Sequence, residues 1–198
     1  KLQLDLVKEN QSIFTQHEYT YNELKSLNDI LPENYCLIHY KKQIFNELGW
    51  GINGLDKIIY QLLEYYPNVV LINDINEIND NLIFKKKYYW CDIENNKINN
   101  SDNSKILYLP NLDGIKMFTT IKKAKKVIAC HGTITLLSNL VNVSILDIFY
   151  CKINNIDDFY RYKNSFHEWK PNSKNYNFTV PSSNLNKSLN KMKKFLKK

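Results

Sequence analysis

The sequence predicts an α/β fold built on a parallel sheet, and three observations carry this prediction. Short continuous apolar runs, such as Val69 to Ile72 and Val127 to Cys130, are typical of strands that helices cover on both faces. Longer stretches with apolar residues at helical spacing separate these runs. Turns containing glycine, proline or asparagine connect the two kinds of segment. Because strands and helices alternate along the chain, we expect the strands to run parallel.

The chain of 198 residues is long enough for one α/β domain with a full core, or at most two small ones. We expect one main domain, at residues 35–151. Residues 1–34 would add a strand and a helix packed on it, and residues 152–198 would form an extension with a terminal helix. The sequence begins at Lys1 and has no apolar run near the roughly 20 residues that span a bilayer. We therefore expect no transmembrane segment, and a trimmed chain whose partner domain is missing stays open as an alternative.

The first part of the chain contains the first central strand. Leucines alternate with polar residues over 2–6, which predicts a short edge strand, and residues 19–31 have helical spacing up to Pro32. The run YCLIHY at 35–40 is a strong strand. The segment 41–54, which follows, contains three of the five glycines. It predicts a mobile loop whose two lysines close over an anionic ligand, with a plain exposed loop as the alternative.

The middle of the chain repeats the strand and helix pattern. Residues 55–66 predict an amphipathic helix, which leads into the buried strand at 69–72. Residues 82–90 are consistent with a further strand or a hairpin arm. The Asn- and Asp-rich segment 92–105 predicts a loop, which we expect to be the most mobile internal part.

The remaining elements complete a doubly wound sheet. Strands are predicted at 106–109, 127–130 and 144–150, with a helix at 115–125 and another that starts at Thr133. The order of elements from 35 to 150 is that of a Rossmann-like fold. The extension after 151 predicts no regular element before a final helix at 185–196, which has lysines opposite its apolar face. Docking of that helix on the sheet is the favoured interpretation, with binding to a membrane surface as the alternative.

Composition bears on the class of function and on the compartment. The net charge is +7, but Arg161 is the only arginine, which argues weakly against specific nucleic-acid binding, since such recognition relies on arginine. The four cysteines have no C-x-x-C spacing, so we expect buried free thiols in a reducing, cytoplasmic compartment. Abundant lysine, asparagine and isoleucine indicate an AT-rich genome, as in some large viruses and some bacteria.

The sharpest candidate site is His131-Gly132-Thr133, where a buried strand ends and a helix begins. Backbone N–H groups at a helix start form a ready site for phosphate. His131 adds a titratable group at the carboxyl edge of the sheet, where open α/β sheets bind ligands. The alternative is an ordinary connection in which Thr133 only caps the helix.

Polar residues at other strand ends should converge on the same crevice. They are Lys41, Lys42, Asn73, Asp74, Asn111 and Asp113. No Walker loop, GxGxxG, HExxH or GxSxG motif is present, so the sequence gives no support to P-loop, classical dehydrogenase, zincin or hydrolase functions.

Four segments in this order resemble the donor-binding half of GT-B glycosyltransferases, the heptosyltransferases especially and the fucosyltransferase-like enzymes more loosely. The segments are YCLIHYKK, LDKIIYQLLEYYPNVVLIND, ILYLPNLDG and IKKAKKVIACHGTITLLSNLVNVSILDIF. The resemblance covers about Tyr35 to Phe149, and its most specific part is His131-Gly132 at a helix start.

The resemblance implies where a nucleotide sugar would bind. Lys41 or Lys42 would neutralise the diphosphate, and Gly132 and Thr133, with Thr135, would form its site at the helix start. The base and sugar would lie against a second set of residues, Asn73, Asp74, Leu109, Pro110, Asn111, Leu112 and Asp113. His131 is the candidate catalytic residue, either hydrogen-bonding the leaving phosphate or sugar or only capping the helix; the general base and the stereochemistry remain open.

The resulting hypothesis is a metal-independent glycosyltransferase, or one domain of it. It would transfer a sugar from a nucleotide-diphosphate sugar to a glycan or other acceptor, with no metal or cofactor. GT-B enzymes usually have a second Rossmann-like domain for the acceptor. The resemblance therefore implies either one domain of a longer enzyme, completed by an acceptor domain or a homo-oligomer partner, or a reduced form. The protein would lie in the cytoplasm, with a position at the membrane periphery as the alternative. The alternatives are a non-catalytic nucleotide- or sugar-binding module, a lysine-rich nucleic-acid binder, and a metal-dependent GT-A enzyme. The last has only Asp92-Ile93-Glu94 as a poor match to its acidic motif.

Overall fold

The computed structural model describes residues 27–74, 78–92, 97–99, 105–110, 112–150, 152, 154–169, 174–181 and 183–198. Its strands are β1 Tyr35–Tyr40, β2 Asn68–Asn73, β3 Tyr89–Asp92, β4 Lys97–Asn99, β5 Ile106–Leu109, β6 Lys126–Cys130, β7 Ser144–Ile148 and β8 Tyr176–Thr179. Its helices are α1 Lys42–Glu47, α2 Gly51–Leu63, α3 Ile78–Lys87, α4 Gly114–Lys123, α5 Thr133–Leu140, α6 Ile156–Trp169 and α7 Leu185–Leu196. Within these ranges, no helix is long and apolar enough to cross a membrane.

The eight strands form one sheet in the order β4-β3-β5-β2-β1-β6-β7-β8. Every pairing is parallel except that between β3 and β4. Seven neighbouring strands therefore run in one direction, as expected of strands joined by helical crossovers. The predicted α/β, Rossmann-like fold class is confirmed, including the terminal helix.

Helices cover both faces of the sheet because alternate residues of its strands are apolar on each side. On one face Cys36, Ile38 and Tyr40 of β1 pack with residues of α2, α3 and α7. On the other face Tyr35 and Leu37 pack with residues of α4 and α5. We call these the α2–α7 face and the α4–α5 face.

The segment after β1 is not the mobile loop that the sequence predicted. It forms α1 and the start of α2, with only residues 48–50 between them. Phe45, Leu48 and Trp50 are buried, and the rings of Phe45 and Trp50 meet edge to face at 5.5 Å. These apolar side chains anchor the segment in the core, and the glycines at 49 and 51 serve the tight connection, with φ of +69° and +52°.

Two other expectations differ from the structure. Residues 82–87, expected in a strand, belong to α3, because Phe84 packs inward while Leu82 and Ile83 are exposed. The extension after 151 is more regular than predicted, since it contains α6 and the sheet strand β8.

The predicted elements at 2–6 and over most of 19–31 lie outside the described residues, as does most of the 92–105 segment. The division of the chain at 34 and 151 stays a prediction.

Candidate functional site

The chain changes direction through the sheet between β1 and β6. From β1 it moves outward to β2 and on to the edge strands β3 and β4, comes back to β5, and then crosses to β6 on the other side of β1. The carboxyl ends of the two strands at such a switch point border a crevice, since the helices that follow them leave on opposite faces. Lys41 follows β1 here and His131 follows β6, so two residues named from the sequence flank the switch point.

Three side chains of different charge stand in a row along this rim. Tyr40 is in register with Asn73, and His39 with Ala129, so Lys41 follows in line with both Asp74 and His131. Parallel strands lie about 4.8 Å apart, which places a carboxylate, an ammonium and an imidazole at successive strand spacings. We call Asp74, Lys41 and His131 the rim row. The sequence predicted that the ends of these strands would converge, but not that these three side chains would follow one another in register.

His131 is held by a buried carboxylate of the next strand. Its Nδ1 lies 2.6 Å from Oδ2 of Asp147, which is fully buried on β7. The hydroxyl of Tyr176, on β8, donates to the same Oδ2 at 2.9 Å. The ring of His131 also meets that of Phe149 edge to face, with centroids 4.4 Å apart. With Nδ1 engaged and the side chain 27% exposed, Nε2 is the atom available to a ligand.

Asp74 also pairs with a histidine, His39, but here the carboxylate is the exposed partner and the histidine is the buried one. Nε2 of His39 lies 3.0 Å from Oδ1 of Asp74, and Nζ of Lys41 lies 3.8 Å from Oδ2. The side chain of His39 is 7% exposed and that of Asp74 is 42% exposed. The hydrogen bond from His39 lowers the pKa of Asp74, and the nearby positive charges act in the same direction against burial. An ionised carboxylate therefore faces the crevice.

Glycine is required at position 132 by the backbone. Gly132 has φ 154° and ψ −152°, a conformation that is essentially restricted to glycine. It is the N-cap of α5, and its N–H donates to the hydroxyl of Thr135 at 3.4 Å. Thr135 is fully buried, so the structure places it behind the helix start, where it positions Gly132. Thr133, which is exposed, begins the helix itself.

Alternation along the strands separates the two lysines named from the sequence. Lys41 points to the rim row, whereas Lys42 is the first residue of α1 and its Nζ donates to Asp80 at 3.0 Å. Asp80 is buried in the first turn of α3, and Lys42 neutralises it. Lys42 is thus engaged by a structural ion pair outside the rim row.

Asn73 and Asp74 are separated in the same way. The Asn73 amide donates to Asn81 at 2.7 Å and its oxygen accepts from the Tyr108 hydroxyl at 3.0 Å. These partners belong to the α2–α7 face, where Tyr108 is part of the core. Asn73 joins strands to α3 and does not lie beside Asp74 on the crevice side.

The residues after β5 form a buried turn and a helix cap. Leu109, Pro110 and Leu112 are buried, and Asn111 lies outside the described residues. The Asp113 carboxylate accepts from the N–H groups of residues 115 and 116, and it pairs with Nζ of the buried Lys116 at 3.0 Å. These contacts engage the Asp113 carboxylate, so its position is explained by helix capping and needs no ligand.

Three cysteines lie in the described ranges. Cys36, Cys91 and Cys130 are free and buried, as the sequence predicted, and burial raises the pKa of the Cys130 thiol at the end of β6. No group of three or more His, Cys, Asp or Glu side chains among these residues is placed to hold a metal ion.

The sequence analysis did not single out three residues of this site: His39, Asp147 and Tyr176. A signal existed for two of them, because His39 in YCLIHY and Asp147 in SILDIF are lone polar residues in otherwise apolar strands. Burying such a group requires a partner, so each one marks a hydrogen-bonded pair. Tyr176 carried no such signal.

Comparisons with known proteins identify the fold and not the family. No family model matches the chain, and no curated protein matches it. A solved structure is similar, that of a Listeria monocytogenes protein assigned as a UDP-N-acetylglucosamine 2-epimerase, with a TM-score of 0.52 and 13% identity. The likeness covers 92% of this chain, which spans only 41% of that one.

Proposed function

We propose that this chain is a metal-independent glycosyltransferase, or the donor-binding domain of one, that uses a nucleotide-diphosphate sugar. The observation that carries the proposal is the placement of Lys41 and His131 on either side of the switch point, beside the start of α5. An ammonium, an imidazole and a helix N-terminus together favour a diphosphate.

In the proposed reaction these groups stabilise the leaving nucleoside diphosphate. As the bond between the anomeric carbon and the phosphate oxygen breaks, its electron pair leaves with the phosphate, and negative charge grows there. Nε2 of His131 donates to that oxygen, while Asp147 holds the ring and stabilises its charged form. Lys41 and the N–H groups of the first turn of α5 share the remaining charge.

The name of the similar Listeria protein makes UDP-N-acetylglucosamine the first donor to test. Because this chain spans less than half of that protein, we propose that the acceptor, a glycan or another hydroxyl compound, is bound partly by a second domain or subunit. A screen of nucleoside diphosphates and nucleotide sugars identifies the base and the sugar.

The test is a calorimetric and thermal-shift screen of nucleoside diphosphates and nucleotide sugars, in EDTA and then with Mg²⁺ or Mn²⁺. We expect one nucleotide to bind without metal, and His131→Ala to weaken that binding by about tenfold. Lys122→Ala, an exposed residue at the far end of α4, is the matched control and should bind as wild type does. Absence of binding by any nucleotide would overturn the proposal. Conversion of the donor to its 2-epimer without transfer would replace glycosyl transfer by epimerisation.

A further inference from the structure

We infer that Asp74 is the general base of an inverting glycosyl transfer, with His39 as its positioning residue. This inference rests on the proposed function and assigns the group that takes the proton of the acceptor hydroxyl. It is carried by the geometry of the rim row and by the hydrogen bond between Asp74 and His39.

The first argument is the separation of the two ends of the rim row. Asp74 and His131 lie two strand spacings apart, with Lys41 between them, so about 9.6 Å separates their strands. Inverting glycosidases hold their acid and base roughly 6.5–9.5 Å apart, because the nucleophile must fit on the face of the sugar opposite the leaving group. The strand spacing across the rim row is close to the upper end of that range, which leaves room for a reacting centre between the two groups.

The second argument is the side from which the acceptor approaches the sugar. The start of α5 follows β6, so a diphosphate bound there lies at the His131 end of the row. In a displacement with inversion the acceptor approaches the anomeric carbon from the side away from the phosphate. That side is the Asp74 end, on the far side of Lys41.

The third argument is the state of the carboxylate. Nε2 of His39 holds Oδ1 of Asp74 at 3.0 Å, while the side chain of Asp74 is still 42% exposed. The same hydrogen bond lowers the pKa of Asp74, which keeps the group ionised at neutral pH. The carboxylate is thus oriented, charged and open to solvent, so it can accept a proton from a bound hydroxyl. Because a lowered pKa makes it a weaker base, its contribution comes from its position beside the acceptor.

The step balances without a further reactant. The acceptor oxygen forms a bond with the anomeric carbon as the bond to the phosphate oxygen breaks, and the electron pair of that bond leaves with the nucleoside diphosphate. The proton of the acceptor hydroxyl moves to Asp74. Water can serve as the acceptor, in which case the product is the free sugar with inverted anomeric configuration.

The experiment compares wild type, Asp74→Asn and the control Asp29→Asn, an exposed residue that precedes β1. UDP binding is measured by calorimetry, and cleavage of the α-linked donor UDP-N-acetylglucosamine is followed by proton NMR, which reports the configuration of the first sugar released. If another nucleotide sugar is the donor that binds, the same assay uses it. We expect Asp74→Asn to bind UDP within threefold of wild type and to cleave the donor about 100-fold or more slowly.

The outcomes separate this inference from the proposed function. Inverted product together with slow cleavage by Asp74→Asn would support Asp74 as the base. Cleavage by Asp74→Asn within fivefold of wild type, a retained configuration, or a wild type that binds the donor without cleaving or transferring it would overturn the inference while leaving donor binding intact. A wild type that binds no nucleotide would overturn the proposed function itself. A His39→Gln variant with normal UDP binding should cleave the donor more slowly than wild type and faster than Asp74→Asn, as expected of a positioning residue.

Discussion

Asp147 holds His131 through a hydrogen bond of 2.6 Å between Oδ2 and Nδ1, across two neighbouring strands. The carboxylate is fully buried, whereas the imidazole reaches the crevice. Asp147 therefore fixes the orientation of the imidazole, with Nδ1 turned toward the sheet.

The first prediction concerns this pair. In Asp147→Ala the ring of His131 loses the hydrogen bond on Nδ1, and the hydroxyl of Tyr176 loses its bond to the Asp147 carboxylate. We expect the free energy of unfolding to fall by about 2–4 kcal/mol and UDP to bind more weakly. Urea denaturation and calorimetry measure the two effects. The milder Tyr176→Phe should cost about 1–2 kcal/mol and leave His131 on its carboxylate. Equal losses of UDP binding in both variants would contradict this account.

The second prediction separates the two lysines that follow β1. Lys41 lies in the rim row, whereas Lys42 neutralises the buried Asp80. We expect Lys41→Gln to weaken UDP binding about tenfold with little change in stability, since the variant removes a half-exposed charge beside the proposed phosphate site. We expect Lys42→Gln to lower stability by about 1–3 kcal/mol and to leave UDP binding near wild type. Calorimetry and urea denaturation of the pair measure both effects, and the reverse pattern would contradict the assignment.

The sequence predicts the central strands and the end of β6 better than it predicts the directions of the side chains that follow β1. The central strands were predictable because each is a continuous apolar run, and His131 was predictable as the point where such a run ends. The division of Lys41 from Lys42 was not, because it depends on the chain turning into α1 after one extended residue. Apolar residues inside that segment, Phe45 and Trp50, were the overlooked signal that it packs as a helix.

Position 132 supports the third prediction. Gly132→Ala places a side chain at φ 154°, a conformation that costs about 1–3 kcal/mol for other residues, although no atom lies within 4 Å of the added Cβ. We expect lower stability and weaker nucleotide binding together, because the helix start must shift. Gly49→Ala, at φ +69° with similarly open surroundings, is the matched control. It should lower stability while UDP binding stays within twofold, as calorimetry would show.

The fourth prediction is a dependence of stability on pH. The pKa of Asp74 is lowered in the folded protein, chiefly by the hydrogen bond from His39. The ionised group therefore stabilises the fold above its unfolded pKa of about 3.9, and this contribution is lost as pH falls through the lower folded value. We expect the stability difference between wild type and Asp74→Asn to shrink as the pH falls below about 4. A difference that grew on acidification would have the wrong sign.

The fifth prediction concerns the attachment of the terminal helix. Nζ of Lys126, at the start of β6, donates to the carbonyls of Phe195 and Leu196 at 2.8 and 3.1 Å. A cation at a helix C-terminus meets both the last carbonyls and the negative end of the helix dipole, so Lys126→Met should cost about 1–2 kcal/mol. Lys125→Met is the control, since that side chain is exposed. Hydrogen exchange should show faster exchange in α7 only for Lys126→Met, because this lysine ties the last turn of the helix to the sheet that carries the rim row.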